Sequence, residues 1–492
     1  MAAPSAAPEA DAFRLLRAGR LPEALALAQR AVAGKSVCSP AHGLLATILL
    51  RLGRRAEAQA IVDSALQCAP GTADAYDGLA WVSLGLGLPE RANSLYRRAT
   101  ELAPRVPRHW YNLASSERSL GHLAQAEAAC ERAIALDAGE YPSYLLRSEL
   151  RVQTAAANHI EQLRRELARP GLEDRARVFL GYALGKELDD LGRYDEAFEC
   201  FADAAGARRR HLAYNVAVDE RKLRRIAEAF PAGRRGAPAA GDDSDRHVFI
   251  VGLPRSGTTL VERILTGLPG VRSNGETDSF ATALLAAAAG PEPDAAGAVP
   301  DVFARAAKAD WSDVAARYSR LAGEGPGTII EKLPMNYLYL GAIHRALPRA
   351  RLVLVSRSPL DGCFAMYRTL FGEAYPFSYD FDELARYYAA YARLIAHWRS
   401  DFGDAIHEVR YEALVADPQQ VGAALARACG LEWRAAAAEI ERNTGASFTA
   451  SAAQVRRPIY RSSSGRWRRY QRHLQPLIAA LRRQSVPLPE LD

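Results

Sequence analysis

Small residues set the pattern of the first 140 positions. Ala12, Ala46, Ala80 and Ala114 are spaced by 34, and so are Gly19, Gly53, Gly87 and Gly121. The same step relates Ala24, Ala58, Ala92 and Ala126, and again Ala31, Ala65, Ala99 and Ala133. Four positions kept small over four copies predict a helix hairpin as the repeating unit, with two helices that cross too closely for a large side chain. The glycine makes the turn between them, and Pro70 and Pro104 stop the second helix of the second and third copies. Gly185, Gly192, Ala197, Phe201 and Ala204 repeat the offsets 71 residues after the fourth copy, which leaves a degenerate copy at about 142–178. A longer helix over Val216–Phe230 is expected to end the array. The period then changes. His247-Val-Phe-Ile-Val-Gly252, Thr328-Ile-Ile-Glu331 and Arg351-Leu-Val-Leu-Val355 read as buried strands, each flanked by helical patterns, so a parallel, doubly wound sheet is expected.

The hairpins resemble tetratricopeptide repeats. The fold expectation is therefore an α-solenoid over 1–230, a linker over 231–245 with its Pro, Gly and Asp, and an α/β domain over 246–492. Residues 286–300, rich in Ala, Gly and Pro, read as an insertion in that domain.

Composition narrows the function classes only a little. At 49% hydrophobic and 24% charged residues the chain is that of a globular protein. Neither an N-terminal leader nor an apolar run of about 18–20 residues is apparent, so no membrane association is expected. Six scattered cysteines without a C-x-x-C pair argue against zinc and against a disulfide framework, and suit a cytoplasmic protein. The net charge of +6 comes almost entirely from arginine; the lysines are Lys35, Lys186, Lys222, Lys308 and Lys332. An arginine bias of that kind is weak evidence for nucleic-acid binding, and none is expected.

Gly252-Leu-Pro-Arg-Ser-Gly-Thr-Thr259, between a strand and a helix, has the form of a phosphate-binding turn. Thr258 stands where a nucleoside triphosphatase carries lysine, and the strand over 352–355 ends in Ser356-Arg357 rather than a metal-binding aspartate. Both departures argue against Mg²⁺-dependent ATP or GTP chemistry, and no metal is expected.

Pro254-Arg-Ser-Gly-Thr-Thr-Leu260 resembles the 5′-phosphosulfate loop of sulfotransferases, particularly the tyrosylprotein sulfotransferases and bacterial proteins joining tetratricopeptide repeats to such a domain. The similarity runs over most of 247–476. It implies a transfer of the sulfuryl group from 3′-phosphoadenosine 5′-phosphosulfate to an acceptor hydroxyl, leaving 3′-phosphoadenosine 5′-phosphate.

By this resemblance Arg255, Ser256, Gly257, Thr258 and Thr259 hold the donor, Glu276 is the catalytic base, and Lys332 is the catalytic lysine at the end of its strand. Arg255 and Ser451 share the charge that builds on the sulfuryl group. Arg357 matches the arginine that grips the 3′-phosphate. The serine the family pairs with it is replaced by Ala365. Tyr411 is expected beside the adenine, and Gln454, Val455, Arg456, Arg457 and Tyr460, with Ser451, belong to the loop that folds over the nucleotide. Arg466 supplies a further basic contact.

The expected acceptor is a protein or peptide tyrosine recruited by the repeats. A glycan, lipid or small-molecule acceptor, or a scaffold that binds nucleotide without catalysis, are the alternatives, and a homo-oligomer is compatible with each.

Overall fold

The structure is a computed structural model that describes residues 8–33, 39–231, 233, 244–288, 302–323, 325–449 and 451–489. The expected linker at 231–245 and insertion at 286–300 lie largely outside the described residues. The chain divides into two compact units, Met1–Val152 with Thr444–Ser447, and Gln153–Asn443 with Phe448–Asp492.

The first unit is helical. Its pairs are Pro8–Arg17 with Leu21–Val32, Pro40–Arg51 with Arg55–Gln67, Ala73–Gly85 with Pro89–Leu102, and Pro107–Leu120 with Leu123–Leu136, followed by Tyr141–Glu149. Ala12, Ala46, Ala80, Ala114, Ala24, Ala58, Ala92 and Ala126 are all fully buried, as close crossings require. The hairpin turns share one device. Gly19, Gly53, Gly87 and Gly121 have φ of 74°, 74°, 78° and 87°, a left-handed conformation that costs a residue with Cβ about 1–2 kcal/mol. In each turn the glycine N–H and the next N–H donate back to carbonyls of the preceding helix, as Gly87 to Leu84 and Leu88 to Ser83 do at 2.9 Å.

The second unit opens on helices Ile160–Leu167, Asp174–Asp190, Tyr194–Arg210 and Val216–Ala229. Gly192, with φ 77°, closes the hairpin Asp174–Asp190/Tyr194–Arg210 in the same way, so this is the repeat read 71 residues after the fourth. These helices cluster with the sheet, and compactness therefore divides the chain at 152/153 and not at the Pro- and Gly-rich stretch. The reason is visible in their contacts. Arg209 makes two hydrogen bonds of 2.7 Å to Glu383, Arg386 donates to Glu220 at 2.7 and 3.0 Å, and the Tyr182 hydroxyl donates to the Tyr367 carbonyl at 3.0 Å. Phe198 stacks on Tyr367 with ring centroids 6.3 Å apart.

The sheet has five parallel strands, β1 (His247–Gly252), β2 (Val271–Ser273), β3 (Thr328–Glu331), β4 (Arg351–Ser356) and β5 (Ile406–Arg410), in the order β2-β3-β1-β4-β5. The three strands expected from apolar runs occur where expected. The two edge strands are short and mixed in polarity, so periodicity does not reveal them. β1 is buried at every position, as a central parallel strand covered on both faces should be. Helix Thr258–Thr266 follows it, and the crevice at the carboxyl ends of β1, β3 and β4 is where open α/β sheets take ligands. Among the described residues no helix is long and apolar enough to cross a membrane.

Candidate active site

The turn after β1 is tight for a physical reason. Gly257 has φ 107°, and a Cβ there would sit 2.5 Å from the Tyr411 ring. Glycine thus admits both the backbone angle and the tyrosine, and it leaves the first N–H groups of helix Thr258–Thr266 facing the crevice. Arg255, in the same turn, is held at φ 65° despite its side chain, a conformation that needs support from its surroundings. Its guanidinium donates to Ser451 Oγ at 2.5 Å and to Gln454 Oε1 at 3.0 Å. Arg357, at the end of β4, donates to the Arg255 carbonyl at 2.9 Å and to the Ser463 carbonyl at 2.5 Å, and lies 4.6 Å over the Tyr411 ring.

A cavity of about 180 Å³ opens here. Of the residues expected from sequence, Arg255, Gly257, Thr258, Thr259, Glu276, Arg357, Tyr411, Ser451, Gln454, Val455, Tyr460 and Arg466 line it, and so does Ala365. The structure thus brings together groups from four strand ends and from the segment after 448, nearly 200 residues later in the chain.

Four expected residues stand off the wall. Ser256 is buried behind the turn with its hydroxyl unpartnered. Lys332 is fully buried behind Glu276. Arg456 donates to the Asn443 carbonyl at 3.0 Å, an acceptor it shares with Arg263, and this interaction draws it away from the cavity. Arg457 is likewise not among the lining residues.

Glu276 and Lys332 form a charged pair at the site. The Lys332 ammonium donates to Glu276 Oε1 at 2.5 Å and lies 3.6 Å from Glu262. The backbone prepares this meeting, because Lys332 N–H donates to the Gly275 carbonyl at 3.0 Å and Asn274 N–H to Ile330 at 2.8 Å, which lays the Glu276 loop along β3. Glu276 remains 39% exposed, open to the cavity, while the lysine has no exposure. Glu262 was not expected. It is one turn into the helix after the phosphate loop, a place where a carboxylate ordinarily faces solvent, and only the fold sets it beside Lys332. Ser273 also donates to it at 2.5 Å.

Phe371 and Tyr375, edge to face at 4.9 Å, join Pro334 and Glu276 on the lining. They are aromatic residues in a turn-rich loop, and periodicity assigns them nothing.

The donor set suits a polyanion. Besides the turn N–H groups, the buried Nε atoms of Arg357 and Arg466, both on the lining, have no partner, and each such donor is expensive to leave unmade. A nucleotide with several anionic oxygens would satisfy such groups.

The family model described as "Sulfotransferase family" matches residues 247–435, and tetratricopeptide-repeat models match 15–82, 78–141 and 182–211. An uncharacterized protein of Aquifex aeolicus (strain VF5) is 28% identical over 390 residues, 76% of this chain and 50% of its own length. A putative protein-tyrosine sulfotransferase of Caenorhabditis briggsae is 34% identical over 113 residues, 22% of this chain and 39% of its own length. The chain thus spans half or less of the curated relatives it matches. Among solved structures, the sulfotransferase domain of the curacin biosynthetic pathway is 19% identical with a TM-score of 0.36, covering 52% of this chain and 100% of that one. The sulfotransferase domain of the Synechococcus PCC 7002 olefin synthase is 18% identical with a TM-score of 0.34, covering 53% and 98%. Residues 247–435 therefore form a sulfotransferase-family domain, carried on a chain that also bears tetratricopeptide repeats.

Proposed function

We propose that the chain transfers a sulfuryl group from 3′-phosphoadenosine 5′-phosphosulfate to an acceptor hydroxyl, with a protein or peptide tyrosine as the acceptor. The observation that carries this reading is the Glu276–Lys332 pair at 2.5 Å, in the crevice reached by the phosphate turn and the Ser451 segment. A base must face the acceptor and a cation must be at hand for the sulfate, and the pair sets a carboxylate on the cavity wall with an ammonium directly behind it.

The chain's own groups have separable tasks. Turn N–H groups and the Arg255 and Arg357 guanidiniums hold the phosphates. Glu276 takes the acceptor's proton as the acceptor oxygen forms the new S–O bond. The electron pair of the broken S–O bond leaves on the donor phosphate, where Lys332, Arg255 and Ser451 stabilise the charge. Preorganised donors of this kind contribute roughly 2.7–4 kcal/mol each in comparable sites. In the structure the Lys332 ammonium is engaged by Glu276, so an arriving anionic donor competes for it and releases the carboxylate toward the acceptor. The aromatic pair Phe371 and Tyr375 beside Glu276 favours a phenolic acceptor over a sugar. The repeats hold the acceptor chain and raise its local concentration.

The test is mass spectrometry of tyrosine peptides and of glycan acceptors incubated with the protein and the donor. A mass gain of one sulfuryl group on the tyrosine peptides is expected. Gain on the glycans alone would replace the acceptor class, and no gain on any acceptor despite tight donor binding would favour a scaffold.

A further inference from the structure

The hairpin Asp174–Asp190/Tyr194–Arg210 buries an acid the mechanism above does not use. Asp189 sits at the repeat position held by Leu16, Leu50, Leu84 and Arg118 in the four regular copies. An aspartate where the register favours leucine is a local inconsistency that asks for a partner. It has three. Arg368 donates to Asp189 Oδ2 at 2.8 Å, Arg466 is paired with the same oxygen, and the Tyr470 hydroxyl donates to Oδ1 at 2.5 Å. The carboxylate is 1% exposed.

Both arginines line the cavity, next to Ala365 and Arg357. Ala365 and Arg368 are three apart across the end of helix Pro359–Tyr367, and therefore on one face. The segment carrying Arg466 is fixed independently. Asp361 accepts from Gly465 N–H at 2.6 Å and from Trp467 N–H at 3.1 Å.

The charge count is the informative part. One carboxylate serves two guanidiniums, so the group carries a surplus positive charge in a largely buried place. The next acid, Asp190, is engaged by Lys186 at 2.6 Å and by Gln153 N–H at 2.8 Å. Burial, with Arg466 alongside, pushes the Arg368 guanidinium down to about 10. A buried pair balanced for stability alone would not carry excess charge, since each uncompensated ion is costly. An unpartnered Nε on Arg466 points the same way, toward an anion that is bound in use.

We propose that Asp189 is a positioning residue of the donor subsite, holding Arg368 and Arg466 side by side so that their free donors grip the donor's 3′-phosphate where Ala365 offers no hydroxyl. This rests on the donor assignment made above. A helix of repeat type thereby becomes part of the catalytic unit, acting through two arginines without touching substrate.

The experiment compares calorimetric affinities of the full chain for adenosine 3′,5′-bisphosphate and adenosine 5′-phosphate. In the unaltered protein the 3′-phosphate should tighten binding at least tenfold. Asp189→Asn should reduce that ratio by roughly tenfold, the loss expected when charge-assisted hydrogen bonds are misdirected, while affinity for adenosine 5′-phosphate stays within about twofold. Equal weakening of both ligands would make Asp189 a fold-supporting acid only, and an unchanged ratio would equally overturn the proposal. If Asp189→Asn does not fold, Arg466→Gln decides, since Asp189 keeps Arg368 and Tyr470 there. A lower ratio supports the proposal and an unchanged one defeats it. An unaltered protein indifferent to the 3′-phosphate would instead sink the donor assignment itself.

Discussion

Glu276 faces the cavity while its ammonium partner is sealed behind it, and the two should respond differently to substitution. Glu276→Gln keeps the shape and the donor contacts but removes the proton acceptor. Turnover should fall by about 10²–10⁴-fold with donor affinity held, measured by steady-state kinetics and calorimetry on the same preparation. A second residue-scale effect concerns Glu331, adjacent in sequence to Lys332 and fully buried at the end of β3. Burial pushes its carboxyl up to about 7 from 4.5, although Asn336 donates to it at 2.8 Å. The folded protein then keeps a proton that the unfolded chain releases, so the associated stability is full below about pH 4.5 and is lost as pH rises through 7. At 1.36 kcal/mol per unit this amounts to roughly 3 kcal/mol. Denaturant melts of Glu331→Gln from pH 4.5 to 8 should show that slope flattened, and an unaltered slope would assign it to other groups.

At the scale of the element, the repeat hairpins separate two uses of glycine. Gly87 turns at φ 78° and an added methyl would meet nothing within 4 Å, so Gly87→Ala should cost about 1–2 kcal/mol through backbone conformation alone. Gly43 is helical, and a Cβ there would meet the Gly78 backbone at 3.0 Å, so Gly43→Ala should act by forcing two helices apart. Thermal melts of the two variants with Gly87→Asn as a third distinguish the causes. Asparagine tolerates the left-handed turn and should recover part of the Gly87 loss, which no steric account of that position predicts. The turn glycines and crossing alanines were legible in sequence because both constraints recur every 34 residues. β2 and β5 were not, because three to five mixed residues at a sheet edge carry no period of their own.

Over the whole molecule, the second unit begins at Gln153, and helix Val216–Ala229 packs on Phe381–Phe402 through Arg386 with Glu220 and a 2.8 Å hydrogen bond from the His397 ring to the Phe230 carbonyl. Cutting at the Pro- and Gly-rich stretch would strip those contacts together with Asp189. A fragment of residues 246–492 should be insoluble or lack a cooperative melt, whereas 153–492 should fold and bind adenosine 3′,5′-bisphosphate. Solubility, circular dichroism and calorimetry on the two fragments check this. A well-folded 246–492 fragment with full affinity would show that the helices before it are dispensable.

By itself the sequence determined the repeats, the parallel α/β class and the phosphate turn, because each is dictated by local chemistry: a small side chain at a crossing, a glycine at a left-handed turn, an apolar run in a central strand. Only the tertiary structure decided that Arg255 reaches Ser451 and Gln454 across nearly 200 residues, that Lys332 lies between Glu262 and Glu276, and that Asp189 belongs with Arg368 and Arg466. Those meetings depend on which surfaces pack, a property that no single segment encodes. A charge shows its partner in the sequence when the two lie one helical turn apart, and conceals it when the partner arrives from another layer of the fold.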